Sequence, residues 1–162
     1  MGPKNEEQIY TDIQTRLVRF FVEGVPQAFT RQIAVNAALR ASGRSKARGS
    51  AIPAKLREWR DTIQLLYLAA VMEADPKYEA FPRSGEFTGP VELSIVIWGS
   101  QADGTNVLKE IEDALNFVAY PDDRVIVKGG FAFGDRMLSE RGGLLRNVTC
   151  VRQGVDISVQ FR

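Results

Sequence analysis

Apolar and polar positions alternate in two stretches of the chain. In residues 91–98 (VELSIVIW), Val91, Leu93, Ile95 and Ile97 alternate with Glu92, Ser94, Val96 and Trp98; in 155–161, Val155, Ile157, Val159 and Phe161 alternate with Asp156, Ser158 and Gln160. A period of two marks a strand with one face covered. The first stretch is apolar on both faces towards Trp98, which places it centrally in a sheet. Residues 16–23 (RLVRFFVE), closed by Gly24 and Pro26, read as an earlier strand, and 144–151 as the partner of 155–161 in a closing pair joined at Gln153 and Gly154.

Elsewhere the spacing changes to threes and fours. From about Pro53, Leu56, Trp59, Ile63, Leu66, Tyr67 and Ala70 form the core face of a helix. A second helix is predicted from Thr105 to about Ala119, with Val107, Leu108, Ile111, Ala114, Leu115 and Val118 on one face and Asn106, Lys109, Glu110 and Asp113 on the opposite one. Pro121 then forces a loop, so Asp122 and Asp123 lead into a β-branched run at 124–127, and three separated carboxylates are expected to meet at one end of the helix.

The remainder is less periodic. Residues 1–14 are polar and expected to be flexible or weakly helical, 32–41 suit a short helix, 42–52 (SGRSKARGSAI) a basic loop and 75–90 a plain loop. Residues 128–143 carry Gly129, Gly130, Gly134, Gly142 and Gly143, which predicts an excursion serving as a flap or dimer arm. The sum is one α+β domain over 1–162: a mixed β-sheet covered by two long helices, in the order β-α-β-α-β-β.

Composition removes several chemistries. The chain has no histidine, which excludes histidine general bases, histidine triads and imidazole zinc sites. Cys150 is the single cysteine, so neither an intrachain disulfide nor a thiolate metal cluster can form, and it is expected to be a small buried hydrophobe. Carboxylates and lysine remain, and the cation that suits them is hard, Mg²⁺ or Mn²⁺. No apolar run reaches a membrane span and the N-terminus lacks a signal-peptide pattern, which predicts a cytoplasmic protein with no membrane partner.

Net charge is only +1, yet it is unevenly spread. Residues 31–60 hold Arg31, Arg40, Arg44, Lys46, Arg48, Lys55, Arg57 and Arg60 against Glu58 alone; residues 101–123 hold Asp103, Glu110, Glu112, Asp113, Asp122 and Asp123 against Lys109 alone. A basic surface beside an acidic pocket suits a metal nuclease, in which cations grip the phosphate backbone and carboxylates hold the metal. Arg40, Arg44, Lys46 and Arg48 are the candidate DNA contacts.

The acidic stretch also carries a resemblance. The order Asp103, Asn106, Lys109, Asp113-Ala-Leu, a short spacer, Asp122-Asp123 and a hydrophobic strand is similar to the RusA family of Holliday-junction resolvases. The resemblance implies a homodimeric, magnesium-dependent endonuclease that cuts four-way or otherwise branched DNA. Carried over by position, it makes Asp103, Lys109 and Asp123 catalytic, assigns metal to Asp103 and Asp123 with Asp122 and Asp113 as neighbouring acids, and gives Asn106 a supporting place; Glu110, on the same helix face, is a further supporting acid. Thr105 stands where the family has its second catalytic aspartate, and Glu110 is the candidate replacement. Two alternatives stay open: a branched-DNA-binding protein that has lost cleavage through Thr105, and a different magnesium enzyme acting on a nucleotide or small phosphate. The basic run at 31–60 favours a polymer.

Overall fold

The structure, a computed structural model, describes residues 9–27, 53–83, 85, 87, 89–100, 102–134, 136–138, 144–146 and 152–162. Its elements are β1 (Ile9–Asp12), β2 (Leu17–Glu23), α1 (Ala54–Ala74), β3 (Val91–Trp98), α2 (Gly104–Leu115), a 3₁₀ turn (Asp123–Val125), β4 (Ile126–Phe133), β5 (Arg136–Leu138), β6 (Leu144–Arg146) and β7 (Gly154–Phe161). Five strands make one sheet in the order β1-β2-β7-β3-β4, and β5 and β6 form a separate pair. The sheet is mixed, because β4 runs parallel to β3 while the other pairings are antiparallel.

The alternation in β3 and β7 is what builds the core. Val91, Leu93, Ile95 and Ile97 lie in register with Phe161, Val159, Ile157 and Val155, and all eight are buried with Val18, Phe20 and Val22 of β2. α1 and α2 cover this face, α1 through Trp59, Ile63, Tyr67, Ala70 and Val71, and α2 through Val107, Ile111, Ala114 and Leu115. On the opposite face Arg152 lies between the rings of Phe21 and Trp98, at 4.4 and 4.8 Å from their centroids. It also donates to the buried Asp156 at 2.6 Å.

The α+β class, the mixed sheet, the two long helices and the central place of β3 agree with the sequence reading. Four details differ. Ile9–Asp12, inside the stretch expected to be flexible, is an edge strand on β2. A tight turn makes this pairing: Asp12 accepts from the Gln14 and Thr15 amides, and Arg16 takes a left-handed φ of 56°. β7 is not the partner of 144–151, since both its edges are taken by β2 and β3; Leu144–Arg146 pairs with β5 instead. Residues 128–133 of the glycine-rich stretch continue β4 rather than leave the sheet. α2 stops at Leu115, not near Ala119, because Phe117 turns left-handed (φ 66°) and the buried Tyr120 donates back to the Glu112 carbonyl at 2.8 Å. The predicted helix at 32–41, the basic loop at 42–52 and Cys150 lie outside the described residues.

Candidate functional site

β3 ends at Trp98 and the chain enters α2 at Asp103, the N-cap. The Asp103 Oδ1 accepts from the Thr105 amide at 2.9 Å and the Asn106 amide at 3.2 Å, satisfying two of the donors that open a helix. With Val107, Ile111, Ala114 and Leu115 buried, the rotation of α2 is fixed and Lys109 must point outwards. Its Nζ stands 4.0 Å from Asp113 and 3.9 Å from Asp123, so two carboxylates distant in sequence meet on one ammonium. Asp123 opens the 3₁₀ turn that follows Pro121.

The remaining predicted acids are placed differently. Asp122 caps the same turn and turns to Arg124, whose amide and guanidinium both donate to it at 2.9 Å. The guanidinium and backbone contacts of Arg124 hold the Asp122 carboxyl down at about 2. Asp103 sits at the start of α2 and Asp113 ten residues along it, which at 1.5 Å per residue puts roughly 15 Å between their backbones. The carboxylates therefore do not gather at one end of the helix. Among the described residues, no group of three or more acids or cysteines converges on a point that could hold a metal.

Glu110 is the clearest departure from the sequence reading. Instead of sharing the outward face with Asn106 and Asp113, it is fully buried and paired with Arg60 of α1. On the helical wheel it borders Val107 and Ala114, and its length carries the carboxylate into the seam between the helices. The Glu110 hydrogen bond, with smaller help from the charges of Glu110 and Asp113, holds the Arg60 guanidinium above its ordinary value against the opposing effect of burial. Gln64 ties the same seam by donating to the Ala114 carbonyl at 2.8 Å. Glu110 is thus unavailable as the replacement for an acid at 105, and Arg60 belongs to the seam rather than to a DNA surface.

Two residues that sequence reasoning passed over lie beside the site. Glu112 is half-buried next to Gly129 of β4, where a side chain on the glycine would come within 3.3 Å of its Oε1. Burial raises the Glu112 carboxyl, Lys109 opposes the rise, and Asp123 and Asp113 add to it, so it belongs to the same electrostatic group. Its position three residues after Lys109 was the available signal. The other is Phe131, 43% exposed, whose ring lies against Gly104 at the start of α2. Arg40, Arg44, Lys46 and Arg48 fall outside the described residues.

Chemically, the open face of α2 offers a cation flanked by acids, Asp113 and Asp123 with Glu112 close by, and a further carboxylate at its first turn. The sequence model of the family described as endodeoxyribonuclease RusA matches residues 32–137, from ahead of α1 into β5 and including all of 103–126. No match was found among the curated proteins compared.

Proposed function

The chain belongs to the RusA endodeoxyribonuclease family, and from that premise we propose that it cleaves phosphodiester bonds in Holliday junctions or other branched DNA with Mg²⁺ or Mn²⁺. The observation that carries this reading is Lys109 held between Asp113 and Asp123 on the open face of α2. A lysine so placed meets a phosphate oxygen without leaving its helix, and it offsets the charge that builds on phosphate or leaving oxygen as the bond breaks.

The donors fit a hard divalent cation, since the site holds only carboxylate and amine groups. Asp123, with Asp113, would hold an ion near Lys109, whereas Asp103, a ligand by the family pattern, stands roughly 15 Å from Asp113 along α2 and would serve a separate ion at the first turn. Asp122 would act at one remove, because Arg124 already occupies it. When bound, the metal polarises the phosphoryl oxygen and lowers the pKa of an attacking water. Asn106 and Glu112 flank this machinery. Arg40, Arg44, Lys46 and Arg48 would bind backbone phosphates with little regard for sequence. In a homodimer, two such sites would face the two strands of a two-fold substrate.

Thr105 supports a second reading, in which the protein binds branched DNA without cutting it, because a neutral hydroxyl stands at the family's second aspartate. One experiment separates the two: a labelled four-way junction incubated with the protein in Mg²⁺, Mn²⁺ or chelator, beside Asp123→Asn. Nicking that needs metal and falls about 100-fold or more in the variant, with junction affinity kept, is the expected result. Binding without nicking in either metal selects the second reading. Neither binding nor nicking overturns both.

A further inference from the structure

Phe131 is a large aromatic side chain left 43% exposed on a strand whose neighbour Phe133 is half-buried. Its placement is tightly determined. The ring lies against the backbone of Gly104, where a Cβ would overlap the Cγ, Cδ2 and Cε2 atoms, so only glycine lets the ring settle there. Phe133 meets it edge-on, with centroids 5.8 Å apart and planes at 78°. A ring fixed on two sides and open on another has already given up its rotamer freedom, so covering the open side costs little further entropy.

The surroundings indicate what covers it. Gly104 lies between Asp103 and Thr105, so the ring stands at the first turn of the helix whose outward face carries Lys109. Two residues back along β4, Gly129 has no side chain, and the 65% exposed Val127 lies beyond it. Leu108 and Glu112 of α2 line the position of that glycine. Leu108 and Glu112 thus pack α2 directly onto β4, and the exposed face of Phe131 lies at the edge of this seam, on the molecular surface. Lys109 follows Gly104 by five residues on α2, a rise of roughly 7.5 Å, a spacing that fits a nucleotide with its phosphate at the lysine and its base on the ring.

We propose that Phe131, seated by Gly104, is a stacking platform for an unstacked nucleobase at the branch point of the DNA. Paired bases in a duplex have both faces covered, whereas a branch point can offer a free one, so the contact selects branched over linear DNA. The inference rests on the proposed action on branched DNA and names the residue that helps to set its selectivity.

The test uses a four-way junction with 2-aminopurine at the branch, and a linear duplex of the same sequence, in metal-free buffer so that binding is read without cleavage. Phe131→Ala is expected to weaken junction binding about tenfold, to leave duplex binding within about twofold and to abolish the change in 2-aminopurine fluorescence. Phe131→Trp is expected to retain both the affinity and the signal, which keeps the test decisive where the alanine variant does not fold. Gly104→Ala displaces the ring and is expected to reproduce the Phe131→Ala pattern. Equal losses on junction and duplex, or an unchanged signal in Phe131→Ala, overturn the platform. So does a change in sedimentation on substituting Phe131, which would assign the ring to a protein contact. An unaltered protein that binds duplex and junction alike without a signal also overturns it, while one that binds no DNA removes the proposed function itself.

Discussion

Lys109 and Glu110 are neighbours in sequence and opposite in use. Lys109 projects from α2 into solvent and holds its two carboxylates at 3.9 and 4.0 Å, distances at which water and salt weaken the attraction. Glu110 is buried in the seam with α1 and bonded directly to Arg60. A single residue's step round the helix, about 100°, separates a charge that can be offered to a substrate from a charge consumed in holding two helices together. A loosely paired exposed charge costs little to keep and remains available. A buried one carries a desolvation penalty that its single partner must offset, so it has no capacity left for chemistry.

The largest effect is expected at the buried pair. Arg60→Met leaves the Glu110 carboxylate inside the protein without its cation, and we expect a loss of about 3 kcal/mol or more in urea unfolding. Replacing both partners, Arg60→Met with Glu110→Leu, should restore most of that stability, since no charge is then stranded. If the single substitution costs less than 1 kcal/mol, Glu110 is not the structural member of the two. The exposed neighbour should behave in the reverse way. Lys109→Met is expected to slow single-turnover junction cleavage about 100-fold, while stability shifts by no more than about 0.5 kcal/mol, as for other surface pairs. A large stability loss with cleavage intact would exchange the roles assigned to the two residues.

A smaller effect is expected at Thr105. It is exposed at the first turn of α2, where its amide already donates to Asp103. Thr105→Asp adds a carboxylate near Asp103 at a helix N-terminus that favours negative charge. Cleavage at low Mg²⁺ should rise about tenfold, read as the metal concentration giving half-maximal rate. A variant no more responsive to metal than the unaltered protein would show that position 105 is outside the metal's reach.

Much of the local geometry of the candidate site was legible in the sequence because it depends on neighbours in the chain. The cap at Asp103, the outward direction of Lys109 and Asp113, and the loop carrying Asp123 after Pro121 follow from helical period, capping chemistry and a helix breaker. Each acts within a few residues. Glu110 was misplaced for the same reason. The wheel sets it at the border between the faces, and a border residue is decided by what packs beside it. Here that is Arg60, fifty positions earlier, which sequence reasoning counted with the DNA-binding cations. Glu112 and Phe131 were passed over because their importance comes from proximity to β4 and to Gly104.

By itself the sequence determined the class of fold, the burial of β3 and β7, the two long helices, the absence of histidine chemistry and the motif that points to the family. These depend on periodicity and composition, which a chain carries before it folds. Only the tertiary structure decided that β7 lies between β2 and β3, that the glycines at 129 and 130 lie in a strand, that Glu110 belongs to the seam, and that Asp123 reaches Lys109 while Asp103 stands at the far end of α2. Each of these is a choice among partners that one-dimensional patterns leave equal. It is settled by which arrangement covers the most apolar surface while leaving the fewest charges buried without a partner.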